Sequence, residues 1–138
     1  MSMGSQVAPL STKWVWTGRI LSGLVVVFLL FDGIIKFIKI QPVIDTFEQM
    51  GWPIKFAVPI GIIDVGCAIL FAIPRTAVLG AVLMTGLLGG AIATHVRIDS
   101  PLFSHTLFGV YLGLIAWAAI YLREPRLRAL MPLRDGAR

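Results

Sequence analysis

The sequence predicts an all-α, polytopic membrane protein: a four-helix bundle whose helices cross the membrane and whose two termini are both cytoplasmic. Hydrophobic residues make up 57% of the 138 residues and charged residues only 14%, whereas a soluble domain carries about 25% charged residues. Four apolar stretches each approach the roughly 20 residues that a spanning helix needs. The chain therefore has room for one domain with short tails.

The four predicted spans follow one another closely along the chain. In order, they cover about residues 14–38, 53–73, 76–96 and 102–122. The turn at Pro74 joins the second span to the third, and Asp99-Ser100-Pro101 separates the third from the fourth. The longest connection, Gln41–Trp52, predicts a loop or interfacial helix that can close over one end of the bundle.

The basic residues predict the orientation in the membrane. With four spans, both tails and the Pro74 turn share one side, which carries eight basic residues: Lys13, Arg19, Arg75, Arg123, Arg126, Arg128, Arg134 and Arg138. The opposite side carries four: Lys36, Lys39, Lys55 and Arg97. The positive-inside rule therefore places a flexible tail (residues 1–13) and a basic tail (residues 123–138) in the cytoplasm, with the bundle (residues 14–122) in the inner, plasma membrane.

The net charge of +5 indicates contact with anionic lipid headgroups and not with nucleic acid, because the basic residues flank apolar spans. Small residues recur four apart on the third span, at Ala81, Thr85, Gly89 and Ala93, with Gly86, Gly90 and Thr94 alongside. Such a stripe lets helices pack closely in lipid, within the bundle or between the two copies of a homodimer.

Three segments resemble the DoxX-like family of small membrane proteins: Ile73–Ala81, Leu88–Arg97 and Tyr121–Arg128. The resemblance covers residues 19–132 and implies a four-helix bundle. Members of the family are linked to a membrane quinone oxidoreductase of sulfur metabolism, to redox or metal handling, or, among distant relatives, to chaperone and cargo-receptor roles. Cys67 is the only cysteine, which argues against the dithiol chemistry of some relatives.

Ionisable residues inside the spans are candidate site residues, because a charge there costs about 2.5 to 3.5 kcal/mol on insertion scales. Asp64 lies near the middle of the second span, and Asp32 lies in the first span with Lys36 four residues later. The spacing predicts an Asp32–Lys36 ion pair on one helix face. In the alternative, functional interpretation, Lys36 keeps Asp32 or Asp64 ionised or offers a cation to a substrate oxygen. Asp64 is interpreted either as a carboxyl group that locks helices together or as a catalytic or ligand-binding group.

A second polar group is predicted where the third span meets the fourth. His95 and Arg97 end the third span, Asp99 lies in the turn, and His105 begins the fourth span. If the helix continues to Asp99, this carboxylate can orient the imidazole of His95; otherwise the histidine is an ordinary hydrogen-bonded interfacial residue. Together with the carboxylates and Lys36, these residues predict a polar cavity open to the periplasmic side or outer leaflet, with Gln41–Trp52 as its lid.

Three functions are compatible with this cluster. The favoured one is binding of a lipophilic small molecule, quinone-like or lipid, as an accessory to a membrane redox partner, with Arg97 and His95 on its head group. The second is an acid–base enzyme, an isomerase or an epoxide-opening enzyme, acting on a lipid-soluble substrate. The third is a structural or chaperone-like partner. The candidate catalytic residues are Asp64, Asp32 and His95, and the candidate ligand-binding residues are Lys36, Arg97, Asp99 and His105.

The sequence does not identify a cofactor. A haem held by His95 and His105 lacks supporting motifs, and a copper or zinc ion held by His95, Asp99 and His105 is only slightly better supported. No metal ligand is therefore predicted. A quinone-linked role would depend on a partner protein that supplies electrons.

Overall fold

The computed structural model describes residues 12–131. Most of the predicted N-terminal tail and the end of the C-terminal tail, including Arg134 and Arg138, lie outside these residues. Within them the chain forms helices and no strand, and four helical stretches are long and apolar enough to span a membrane. The predicted fold class is confirmed, while the cytoplasmic placement of both termini stays a prediction.

Six α-helices follow one another along the described chain. They are α1 (Thr12–Ile38), α2 (Gln41–Met50), α3 (Ala57–Ala72), α4 (Ala77–Arg97), α5 (Phe108–Arg123) and α6 (Pro125–Arg128). Short 3₁₀ turns precede α3 (Ile54–Phe56) and α4 (Pro74–Thr76), and a π-helical turn (Leu102–Thr106) precedes α5. The spanning stretches are Thr12–Ile38, Ile54–Ala72, Pro74–Arg97 and Leu102–Arg123.

The connection between the first two spans is the amphipathic helix α2. Pro42 lies in its first turn, where the missing N–H costs no hydrogen bond. Gly51 ends the helix with a φ of 73°, a left-handed conformation that glycine adopts at no steric cost. Val43 and Phe47 are the buried residues of this helix. The helix therefore packs on the end of the bundle through one apolar face.

The spanning helices pack in a ring in which α1 contacts α3 and α5, and α4 contacts the same two helices. Glycines allow the closest approaches. A Cβ atom on Gly18 would lie 2.7 Å from the carbonyl oxygen of Ala119 in α5, and one on Gly80 would lie 2.5 Å from the backbone nitrogen of Phe71 in α3. Any larger residue at these positions would force the helices apart.

A filled interior of large buried side chains occupies the half of the bundle that holds the chain's first described residues, which we call the packed half. Its largest fully buried side chains include Phe71, Met84 and Ile120. Toward the opposite end, the helices separate around a cavity, and we call this the hollow half. The difference between the halves positions the candidate site.

The small-residue stripe on α4 does not pack as predicted. Ala81 is buried in the core, but a Cβ atom on Gly86, Gly89 or Gly90 would meet no other atom within 4 Å. The interpretation that these glycines make the bundle compact is therefore wrong. By contrast, Gly109 on α5 packs closely, because its Cβ atom would lie 2.9 Å from the side chain of Ile92.

Candidate functional site

Lys36 lies between the two carboxylates in the hollow half. Its ammonium donates a hydrogen bond to Asp32, four residues earlier on α1, which is the predicted intrahelical pair. It also donates to Asp64 on α3, with 2.9 Å between Nζ and Oδ2. The side chains are 33% exposed for Asp32, 14% for Lys36 and 3% for Asp64. This charge triad therefore joins two helices, and Asp32 is its most accessible member.

Two facing glycines bring Lys36 within reach of α3. A Cβ atom on Gly33 would lie 2.9 Å from the carbonyl oxygen of Gly61, and one on Gly61 would lie 2.9 Å from the carbonyl oxygen of Gly33. The backbones therefore nearly touch one turn before Lys36, because neither glycine has a side chain. Lys36 can then bridge to Asp64 without extending into lipid.

A cavity of about 500 Å³ adjoins the triad. Its walls come from α1, α2, α3 and α4 and from Phe108 of α5, and they are mainly apolar. The polar side chains that line it are Asp32, Lys36, Asp64, Thr46, Thr94 and His95. A large apolar space with a few convergent polar groups is the usual form of a small-molecule site.

Helix α2 forms one wall of this cavity and is tied to the end of α4. Val43, Thr46 and Phe47 of α2 line the space. The guanidinium of Arg97 donates a hydrogen bond to the carbonyl oxygen of Met50. The predicted lid segment is therefore a helix against the cavity, held to α4 by a charge-assisted hydrogen bond.

The expected support of His95 by Asp99 is wrong. Helix α4 ends at Arg97, and Asp99 adopts a left-handed conformation with a φ of 55°. The Nδ1 atom of His95 lies 3.0 Å from the hydroxyl of Ser100 instead. Ending the helix before the turn removes the i+4 geometry on which the expectation depended.

His105 lies near His95, with 5.9 Å between the ring centres, and its Nδ1 atom is 2.7 Å from the hydroxyl of Ser104. Arg97, Asp99 and His105 are not among the residues that line the cavity. Within residues 12–131, no group of three His, Cys, Asp or Glu side chains is placed to hold a metal ion. The copper or zinc hypothesis therefore gains no support from the geometry.

Sequence reasoning missed part of the cavity wall. Gly86, Gly90, Thr94 and Phe108 line the space, although the glycines were assigned to helix packing. Their spacing was visible in the sequence, but a glycine stripe has the same appearance whether it faces a neighbouring helix or a cavity. Only the arrangement of the other helices distinguishes the two cases.

The DoxX-like family model matches residues 20–119. The chain belongs to the DoxX-like family. The match includes the first two segments that carried the resemblance and ends before Tyr121–Arg128. No curated protein and no solved structure matches the chain. Family membership and four apolar spanning helices make this DoxX-like protein a multi-pass membrane protein in contact with the lipid bilayer, consistent with the plasma membrane.

Proposed function

We propose that this DoxX-like protein binds a lipophilic small molecule, quinone-like or lipid, in the cavity of the hollow half. The observation that supports this function is one mainly apolar space of about 500 Å³ with a charge triad on its wall. An apolar tail or ring gains free energy against the walls. A polar head group would contact the triad, whose charged groups are costly to keep in an apolar environment.

The triad suits a head group that donates a hydrogen bond. Asp32 and Asp64 supply two carboxylates against the one ammonium of Lys36, so acceptor oxygens outnumber the N–H groups left over. A hydroxyl group of the ligand would donate to Asp32, the more accessible carboxylate. A carbonyl group would accept from the remaining N–H of Lys36. His95 of α4 also lines the cavity and would supply one further polar contact.

One detail of the binding hypothesis changes. Arg97 was expected to contact the head group, but its guanidinium donates to the carbonyl oxygen of Met50 and does not line the cavity. In the proposal Arg97 holds α2 in place, while Asp32 and Lys36 contact the ligand. The proposed ligand binding does not require a redox partner protein or a homodimer. Either would be a further property of the protein.

The acid–base enzyme hypothesis has weaker support. It assigns catalysis to the carboxylate pair Asp64 and Asp32 with His95, but both carboxylates are ion-paired with Lys36 and the Asp64 side chain is only 3% exposed. A general base needs to reach the proton that it removes. The scaffold hypothesis explains the ion pairs but not the space beside them. Both hypotheses are kept as outcomes of the experiment.

The test compares two leucine substitutions one residue apart. Gly90 lines the cavity, whereas Gly89 does not, and a Cβ atom at either position would meet no atom within 4 Å. Gly90→Leu should therefore fill part of the cavity, and Gly89→Leu is its matched control on the same helix. Binding of decyl-ubiquinone to purified protein in mild detergent is followed by quenching of tryptophan fluorescence, since Trp52 lines the cavity.

The expected result is saturable quenching for the wild type and for Gly89→Leu, and an affinity at least about tenfold lower for Gly90→Leu. Native mass spectrometry of the purified protein detects co-purified lipids that are not quinones. Equal binding by both variants would place the ligand elsewhere. If neither quinone nor any co-purified lipid binds, the scaffold hypothesis is favoured. Turnover of a bound molecule that Asp64→Asn abolishes would favour the enzyme.

A further inference from the structure

A second cleft lies at the far end of the packed half, away from the charge triad. It has a volume of about 150 Å³, and its charged lining residues are Arg19 of α1 and Arg123 and Glu124 at the end of α5. Pro74, in the turn that precedes α4, closes one side. Pro74 begins one spanning stretch, Arg123 ends another, and Arg19 lies within the first two turns of the stretch that begins at Thr12. The cleft therefore lies at the level where lipid headgroups meet the protein.

Close helix packing forces the two arginines together. A Cβ atom on Gly18 would lie 2.7 Å from the carbonyl oxygen of Ala119 and 3.3 Å from the Cβ of Arg123. The absence of a side chain at Gly18 thus lets α5 approach α1 where Arg19 and Arg123 are carried. Two like charges near each other repel, so this arrangement costs free energy unless an anion lies between them.

Each guanidinium is oriented by a contact that leaves N–H groups available. Arg19 lies over the ring of Trp16, with 5.2 Å from Cζ to the ring centre. Arg123 donates one hydrogen bond to the carbonyl oxygen of Phe71 at 3.0 Å and lies over the Phe71 ring. A guanidinium has five N–H donors. Both side chains therefore keep donors for a further acceptor.

Among residues 12–131, neither arginine forms a salt bridge with a carboxylate; the salt bridges there involve Lys36. Glu124 lines the same cleft, but its carboxylate accepts from the backbone N–H of Arg126. The charged lining thus has an excess of one positive charge. This charge lies beside the bilayer and not in a soluble domain.

We propose that this cleft binds the phosphate of an anionic phospholipid headgroup between Arg19 and Arg123. Guanidinium groups pair with phosphate oxygens through two parallel hydrogen bonds, which a single phosphate can accept from both arginines. The acyl chains would follow the apolar surface of the neighbouring helices into the bilayer. The site shares no residue with the charge triad, so it does not depend on the lipophilic-ligand proposal.

The experiment counts bound lipid by native mass spectrometry of detergent-purified protein titrated with phosphatidylglycerol or phosphatidylcholine. Arg19→Gln and the double variant Arg19→Gln/Arg123→Gln remove charge from the cleft. The matched control, Lys39→Gln/Lys55→Gln, removes two charges at the opposite end. Because Arg123 also holds the Phe71 carbonyl oxygen, thermal unfolding is measured for every variant, and Arg19→Gln leaves that bond intact.

The wild type should bind one phosphatidylglycerol more tightly than phosphatidylcholine. At the usual contribution of a basic residue near an anionic surface, affinity should fall about fivefold in Arg19→Gln and about 30-fold in the double variant. The control should bind like the wild type. An equal loss of phosphatidylglycerol affinity in the control would mean that the lipid is attracted by the overall positive charge and not by this cleft. Unchanged affinity in both arginine variants would overturn the site. Displacement of the lipid by millimolar inorganic phosphate would make it a site for free anions instead.

Discussion

Replacement of Lys36 by methionine should be the most damaging single change in the charge triad. Methionine keeps most of the length and apolar volume of lysine but removes the ammonium. Asp64, 3% exposed, and Asp32 then both lose their cation. In Asp64→Asn, by contrast, Lys36 keeps Asp32 as a partner. The expected order of destabilisation is therefore Lys36→Met, then Asp64→Asn, then Asp32→Asn.

The geometry sets the size of these effects. At the 2.9 Å between Lys36 and Asp64, two unit charges attract by about 6 kcal/mol at an effective dielectric constant of about 20. Desolvation of the two ions offsets several kcal/mol of this attraction. Removing one partner of a buried pair lowers the free energy of unfolding by about 3 to 5 kcal/mol. The carboxyl group left behind in Lys36→Met can take up a proton, which should keep the loss of stability near the lower value, about 3 kcal/mol. Asp64→Asn should cost about 1 kcal/mol.

The double variant Lys36→Met/Asp64→Asn is the informative member of the series. It removes the more buried of the two stranded carboxylates together with its partner and leaves only Asp32, which is 33% exposed, without a cation. It should therefore cost about 1 to 2 kcal/mol, less than the sum of the two single changes by about 2 to 3 kcal/mol. The free energy of unfolding is measured by titration with sodium dodecyl sulfate in mixed micelles, followed by circular dichroism. Lys55→Met, at an exposed position, is the control for loss of a lysine.

Two results would refute this reasoning. Additive losses in the double variant would mean that Lys36 and Asp64 do not interact. A loss for Lys36→Met within about 0.5 kcal/mol of the Lys55→Met control would mean that the triad is solvated as a surface pair would be.

Further predictions concern the packed half. Gly80→Ala should lower the free energy of unfolding by about 2 kcal/mol or more, because the added Cβ would lie 2.5 Å from the α3 backbone. Gly66→Ala, where a Cβ meets no atom within 4 Å, should raise the free energy of unfolding by about 0.5 to 1 kcal/mol. Equal effects of the two changes in the same micelle titration would contradict this packing. Trp117→Phe should cost about 1 kcal/mol through loss of the 2.8 Å hydrogen bond to Thr85, and a Thr85→Val background should remove that cost. Cys67, 3% exposed, should react with a membrane-permeable maleimide only after denaturation, and rapid labelling of folded protein would show that the core opens.

The four spans could be predicted from the sequence, because the membrane imposes a length and an apolar composition that few other structures share. The pairing of Asp32 with Lys36 was also predictable, since it depends only on helical spacing. Asp64 was also considered as a partner of Lys36, but the sequence did not decide between the two carboxylates, because the contact depends on the crossing of α1 and α3 at Gly33 and Gly61. Sequence separation alone does not reveal such a crossing.

The predictions near the end of α4, in the hollow half, were less successful for a local reason. Support of His95 by Asp99 was made conditional on the helix continuing to Asp99, and α4 ends at Arg97 with Asp99 in a left-handed conformation. Arg97 was assigned to ligand binding because its actual partner was not predictable. That partner is the carbonyl oxygen of Met50, and every residue has a backbone carbonyl, so the sequence does not indicate which one accepts the hydrogen bond. Helix ends and backbone acceptors are the features that a residue pattern specifies least.

The division of the bundle into a packed and a hollow half has a consequence for how such proteins diverge. Substitutions around Phe71 and Ile120 meet a filled interior and threaten the fold itself. Substitutions at Gly86 or Gly90 meet empty space, so they can reshape the chamber at little cost in stability. If the proposed ligand binding is correct, homologous proteins could therefore change ligand specificity while keeping the same fold. Membership of a family built this way is therefore informative about architecture and much less informative about function.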